Sequence, residues 1–185
     1  DFRNDVCVVA TVLSVEQDNS PEVCAMIGAS AALSISDIPF GGPTAAVNVG
    51  LVDGKIVINP TEEQRKVSDL TLTVAGTEEK IAMIEAGANE VPDDVMLEAI
   101  KQGHTEIKKI CKFIEKMKEE IILGLRKCNG ISKSNFLKKY SIELFDAFPK
   151  IKNLIIEGLL KEKNDKIYIP QKYFYIGNYI ILKIL

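Results

Sequence analysis

The chain has 185 residues and a formal net charge of −3, which is room for one ordinary domain or two small ones. That average hides a split. Residues 1–117 carry 10 Lys and Arg against 19 Asp and Glu, whereas residues 118–185 carry 13 against 7. All 14 Val and 12 of 13 Ala precede residue 118, and all 5 Tyr follow it. Vocabulary changes together with charge, which points to two segments of different origin.

Several classes are excluded. No apolar run reaches the ~18–20 residues of a membrane span. The start, Asp1-Phe2-Arg3-Asn4-Asp5, lacks the basic-then-apolar layout of a signal peptide, and a chain opening on Asp1 reads as a piece of something longer. Hydrophobic content of 46% argues against disorder. Cys7, Cys24, Cys111 and Cys128 form no CxxC; they read as reduced thiols of a cytoplasmic protein. One histidine cannot build a His-rich zinc site, and neither GxxxxGK[ST] nor GxGxxG is present.

In chain order, residues 6–15 are β-branched and apolar with little alternation, which predicts a strand buried on both faces. Ser20-Pro21-Glu22 opens a helix: an N-cap, a first-turn proline and an acid at the positive end of the dipole. The helix should run to about Ile35, and its Ala, Ser and Gly28 suggest deep packing. Asp53-Gly54 favours a type I′ turn joining 45–52 to 55–58. A second hairpin, 70–76 with 80–87, shows Leu70, Leu72 and Val74 alternating with Thr71, Thr73 and Ala75.

Pro92-Asp93-Asp94 opens a helical pattern carried by Met96, Ile100, His104, Ile107, Cys111, Ile114 and Ile121 as far as Leu125. Its length suggests two helices run together. Ser132 should cap a helix to about Tyr140, and Ser141 another to Leu160, broken at Pro149. A charged turn at 161–165 precedes a strand at 166–169, and a last apolar segment covers 174–185. Helices followed by a small β wing make a winged-helix-like order.

Residues 6–36 and 69–107 resemble polynucleotide phosphorylase. The words that carry this are Val9-Ala10-Thr11-Val12-Leu13-Ser14-Val15, Ala25-Met26-Ile27-Gly28-Ala29-Ser30-Ala31-Ala32-Leu33-Ser34, Ile38-Pro39-Phe40-Gly41-Gly42-Pro43, Ile58-Asn59-Pro60-Thr61, Val74-Ala75-Gly76-Thr77 and Met96-Leu97-Glu98-Ala99-Ile100. The resemblance covers about 5–117 and looks like the later part of the first of two RNase PH-like domains. It implies an α/β fold with helices packed on a mixed sheet. For the intact family it implies 3′-to-5′ phosphorolysis of RNA with Mg²⁺, RNA binding and homotrimer contacts. At the family's serine-rich phosphate turn this chain has Ser20-Pro21-Glu22: one hydroxyl, no N–H from Pro21, and a carboxylate that would repel phosphate. At its acidic pair stand Glu63 and Asp69, which could hold a hard metal. Ser20, Glu63 and Asp69 are therefore expected to be vestigial phosphate and metal positions, with no catalytic residue. The first domain would lack its opening strands, leaving an unpaired sheet edge.

Leu123-Gly124-Leu125-Arg126, Gly130-Ile131-Ser132, Leu154-Ile155-Ile156-Glu157-Gly158-Leu159-Leu160 and Gly177-Asn178-Tyr179-Ile180-Ile181 resemble the C-terminal domain of oxygen-independent coproporphyrinogen III oxidase-like radical SAM proteins, the heme chaperone branch included. This resemblance covers about 118–185. The family's 4Fe–4S cluster and SAM belong to an upstream CxxxCxxC that does not occur here. It leaves a possible heme or protein partner.

The expected organisation is thus a partial RNase PH-like domain over 1–117 and a winged-helix-like domain over 118–185. The expected function is a non-catalytic scaffold fragment of a polyribonucleotide nucleotidyltransferase. The alternatives are a heme-pathway accessory domain and a non-functional chimeric chain. Single residues read plainly: His104 as a packed structural histidine, Glu63 and Asp69 also as a surface acidic pair, Gly41-Gly42-Pro43 as a loop turn, and Cys111 and Cys128 as ordinary thiols. The lysines of 118–185 read as a solvated face, and Tyr168, Tyr173, Tyr175 and Tyr179 as wing and core packing.

Overall fold

The computed structural model describes residues 3–36 and 38–184; Asp1 and Phe2 of the opening and Leu185 of the last apolar segment lie outside them. Two compact units result. One holds the chain up to Ala32 together with Pro39–Ile114; the other holds Leu33–Ile38 and the chain from Glu115.

The first unit is a sheet covered by helix. Its elements are α1 (Pro21–Ser34), β1 (Ala45–Val52), β2 (Lys55–Ile58), α2 (Glu62–Lys66), β3 (Leu70–Gly76), β4 (Ile81–Ala88) and the first turns of α3 (Asp93–Leu125). Strand order is β2-β1-β3-β4. Asp53 (φ 49°) and Gly54 (φ 72°) both take the left-handed region, as a type I′ turn requires, and set the register Val52 opposite Lys55. β3 buries Leu70, Leu72 and Val74 while Thr71 points outward, the period-2 pattern of a strand with one face on a core. Val47, Val49, Leu70, Leu72 and Val74 gather with Ala99, Ile107 and Cys111 of α3. Each large side chain so buried contributes roughly 1.5–3 kcal/mol. Gly103 lets α3 come close: a Cβ there would sit 3.2 Å from methyls of Val49 and Val74.

All three ladders are antiparallel, so the α/β unit has an antiparallel sheet and not the mixed one expected. Hairpins join β1 to β2 and β3 to β4, and the chain passes through β2 and α2 before β3 pairs with the other side of β1. β2 and β4 are the outer strands of this sheet, and β4 is exposed along its whole length.

The predicted strand at 6–15 does not form. Residues 3–16 have no regular secondary structure and are exposed throughout, with Val9 80% and Leu13 93% accessible. A β-branched run becomes a strand only when a neighbouring edge and a core receive it, and none does so among the described residues. α1 is correspondingly shallow. It buries only Val23, Ser30 and Ser34, and a Cβ at Gly28 would meet nothing within 4 Å. The expected deep packing is absent.

α3 is one uninterrupted helix of 33 residues, where two run together were expected. The change of composition falls inside it without breaking its phase.

The second unit contains the last turns of α3, then β5 (Ile131–Ser132), α4 (Lys133–Tyr140), α5 (Leu144–Ala147), α6 (Lys150–Ile156), β6 (Lys161–Lys163), β7 (Lys166–Tyr168), a 3-10 turn over Gln171–Ile176 and α7 (Gly177–Ile184). Ser132 caps α4 as expected, its Oγ accepting from Asn135 N–H at 3.1 Å. Ser141 does not cap a following helix; it closes α4 in the left-handed conformation, φ 57°. The break at Pro149 is present, between α5 and α6. The helix stops at Ile156, short of Leu160, with Gly158 at φ 73°, the left-handed residue that commonly terminates a helix. The charged stretch 161–165 splits into β6 and a tight turn to β7. β5 joins this wing, giving the order β5-β7-β6. Phe136 packs on Tyr140 and Phe148, with ring centroids 4.7 and 6.1 Å away.

Candidate functional site

The serine turn, α1 and α2 meet in the first unit. Ser20 Oγ accepts weakly from Val23 N–H at 3.4 Å and donates to Glu22 Oε2 at 2.6 Å. The Ser20 hydroxyl holds the Glu22 carboxyl below its ordinary range, its own backbone N–H adds to this, burial opposes slightly, and the Arg65 guanidinium helps. The chain's own carboxylate thus fills the anion-attracting end of α1.

α2 repeats the arrangement. Thr61 and Gln64 form a reciprocal capping box, and the free Glu62 N–H donates to Asp18 Oδ1 at 2.9 Å. Arg65 donates to Pro60 O at 2.7 Å and also to Gln17 O. The residue 16–20 turn is therefore tied to α2 by Asp18 from one side and Arg65 from the other. A cavity of about 280 Å³ lies between them, lined by Ser20, Pro21, Glu22, Asn48 and Arg65 among others.

Of the three sequence-selected positions, only Ser20 lines this cavity. Glu63 is exposed on α2 and Asp69 is exposed just before β3. Asp69 is committed through its backbone, its N–H to Leu51 O and its C=O to Asn89 N–H, each at 2.9 Å. Asp18 and Arg65 were missed. The capping box Thr61-x-x-Gln64 is legible in the sequence and could have located α2, but nothing local pairs Asp18 with a helix 44 residues away.

The donor set does not fit a metal or a cluster. Among the described residues no three His, Cys, Asp or Glu side chains gather in one place. Cys7, Cys24 and Cys128 are exposed and Cys111 is buried, and no disulfide joins them among the described residues. Cys111 Sγ donates to Pro43 O at 3.3 Å, and His104 Nε2 lies 3.1 Å from Thr77 O, so that nitrogen carries the proton. Both are packing groups. Gly42 sits at φ 123° with open space around it, a loop turn. No described helix is long and apolar enough to cross a membrane.

Two family models match. Residues 42–106 match the 3′ exoribonuclease family, domain 2, and residues 114–172 match the HemN C-terminal domain. Curated relatives are polyribonucleotide nucleotidyltransferases. That of Ruminiclostridium cellulolyticum is 67% identical over 121 residues, 65% of this chain and 17% of its own length. That of Syntrophomonas wolfei is 50% identical over 171 residues, 92% of this chain and 24% of its own. The chain therefore spans about a fifth of these relatives. The rice (Oryza sativa) Rrp46 crystal structure superposes with a TM-score of 0.49 at 16% identity, covering 55% of this chain and 49% of that one. A 171-residue alignment reaches beyond residue 117 wherever it starts, so the phosphorylase likeness extends further along the chain than its sequence words do.

Proposed function

We propose that this chain is a fragment of a cytoplasmic polyribonucleotide nucleotidyltransferase, in which residues 1–117 are a non-catalytic scaffold from the first RNase PH-like domain. In the intact enzyme the activity would be 3′-to-5′ phosphorolysis of RNA with Mg²⁺, and this part would serve RNA and homotrimer contacts. The observation that carries the reading is Glu22. Its carboxylate takes the Ser20 hydroxyl and the α1 N-terminus that a phosphate would need, and a second anion there would be repelled. Glu63 and Asp69, exposed and outside that cavity, are vestigial in this reading, and no step is routed through a metal. Incubating the chain with poly(A), phosphate and Mg²⁺ or Mn²⁺ tests it: no ADP should be released above a buffer control.

A second reading is favoured by the match at 114–172. In it, residues 118–185 are a winged-helix-like accessory domain of the heme-pathway type, fused within α3, with heme or a protein as partner. The cluster and SAM chemistry of that family would reside outside these residues. A Soret shift on heme titration would support it, and a flat titration would remove the heme version. If the two halves map to separate loci in source DNA, the chain is a chimera and not a natural fusion.

A further inference from the structure

Two features of the first unit are each incomplete and complement one another. β4 is hydrogen-bonded on one side only, to β3, and is exposed from Ile81 to Ala88. Residues 6–15 have the composition of a strand, and no described ladder includes them. We propose that β4 of one copy of this chain takes residues 6–15 of a second copy as an added antiparallel strand.

Apolar matching selects the segment. An open edge presents a row of unpaired N–H and C=O groups, which extended backbone satisfies. β4 shows apolar groups on both faces: Ile84 stands opposite Val74 and Met83 opposite Ala75, and both are exposed. Consecutive strand residues point to opposite faces, so a strand laid beside β4 must be apolar on both. Residues 6–15 carry no charge, and the pairs Val8-Val9 and Val12-Leu13 put an apolar group on each face.

Charge sets the direction. Before the segment, Arg3 and Asp5 cancel; after it, Glu16 and Asp18 are both acidic. Before β4, Glu79 and Lys80 cancel, and Glu78 is paired with Lys112 at 3.2 Å. After β4, Glu90, Asp93 and Asp94 are all acidic. Antiparallel pairing sets each acidic end against a neutral one, and with Val15 opposite Ile81 it puts Glu16 beside Lys80. Parallel pairing would set the two acidic ends against each other, and like charges across a ladder are destabilising.

A chain cannot supply this strand to its own β4. The turn after the segment is tied to α2, where Asp18 accepts from Glu62 N–H and Gln17 O accepts from Arg65. Glu16 and Gln17 line the same cavity as Asn48 of β1. A position beyond β4 lies three inter-strand steps from β1, about 14 Å. Asn48 shares a row with Thr73 and Glu85, and Ile81 is a further four residues, about 13 Å, along β4. Val15 is two residues from Gln17, a reach of about 7 Å. Nor does α1 hold the segment closely, since residues 8–16 face it across a cavity of about 620 Å³.

The test is sedimentation velocity of the full chain from about 1 to about 200 µM, with hydrogen exchange at both ends of that range. At the dilute end residues 6–15 should exchange freely. At the concentrated end they and β4 should gain protection together, by about tenfold or more, as the chain sediments as a dimer or larger. Val9→Pro with Val12→Pro removes two N–H donors from a segment without regular secondary structure, and Met83→Lys puts a charge on the open edge. Each variant should raise the concentration needed for association about tenfold or more and leave the melting temperature of the dilute chain unchanged. Mixed one to one, the two should associate again, because the Met83→Lys chain still gives a strand and the proline chain still takes one. If Met83→Lys does not fold by circular dichroism, Lys80→Glu is the acceptor variant and should weaken association in the same direction. A wild-type chain that stays monomeric at the concentrated end, proline variants that associate like wild type, or a mixture that stays monomeric would each overturn the proposal. Protection of residues 6–15 already at the dilute end would place the strand within one chain and overturn the second copy. The pairing needs residues 6–15 open, so it is separate from the homotrimer contacts proposed for the intact enzyme, and no outcome depends on ADP release.

Discussion

The Ser20 hydroxyl donates a 2.6 Å hydrogen bond to Glu22 Oε2, two residues further on. A turn that could face an outside anion is thereby closed on an internal one. Ser20→Ala removes this bond together with the N-cap and should cost about 1 kcal/mol. It should also let the Glu22 carboxyl rise toward its ordinary range. A carboxyl-detected NMR titration would show this; an unmoved Glu22 would mean that Ser20 is not what holds it.

The same pair sets a pH direction. Glu22 is depressed in the folded protein, so its contribution is present above the unfolded value, near 4.5, and is lost as pH falls through the lower folded value. Wild type should lose some stability on the acid side, and Glu22→Gln should lose less. Thermal melts between neutral and acid pH, compared for the two, read the difference directly. A constant gap between their curves at all pH values would contradict this.

What the sequence made legible was what local chemistry determines. Asp53-Gly54 named a turn type, and the Leu70, Leu72, Val74 alternation named a half-buried strand. Ser132 named a cap, and Pro149 a break. What it could not show was partnership. Residues 6–15 have the composition of a central strand, yet composition records a burial this chain does not supply. Ser141 resembles a cap by type but stands at a helix end, because its left-handed φ is set by the chain reversal after Tyr140. Asp18 met α2 through tertiary folding alone. Of the candidate site, Ser20 and Glu22 were readable, whereas Arg65 and Asp18 were not.

Tyr140 anchors α4 to α3 within the second unit through Glu120. Burial and the Glu120 hydrogen bond push the Tyr140 hydroxyl up. Its neutral form is therefore favoured by folding, and this stability is lost only as pH rises through the elevated value. Tyr140→Phe keeps the ring on Phe136 and removes the hydroxyl, at a cost of about 0.5–1.5 kcal/mol. Denaturant melts at neutral and at strongly alkaline pH should show that gap shrinking. A gap unchanged with pH would remove the hydroxyl from the account.

Gly124→Ala places a methyl 2.3 Å from Ile131 Cγ1, inside any tolerable contact. Ile131 is buried and sits in β5 opposite Ile167, so relief would mean shifting the wing. A loss of roughly 1–3 kcal/mol is expected. Ile131→Ala in the same background should recover part of it, although alone it opens a cavity. The double-mutant cycle isolates that coupling, and additive losses would show that the two do not touch.

Residues 6–15 carry Val9 and Leu13 almost fully in water, and hydrogen exchange follows such openness. In the dilute monomer their amides should exchange at near-unprotected rates, while those of β1 and β3, each paired on both sides, should exchange only through opening of the sheet. Leu13→Lys should leave the melting temperature within about 0.5 kcal/mol equivalent, as for a surface change, and should reduce any concentration-dependent aggregation driven by the apolar stretch. Protection of residues 6–15 in that monomer at the level of β3 would show that the segment finds a ladder partner within its own chain.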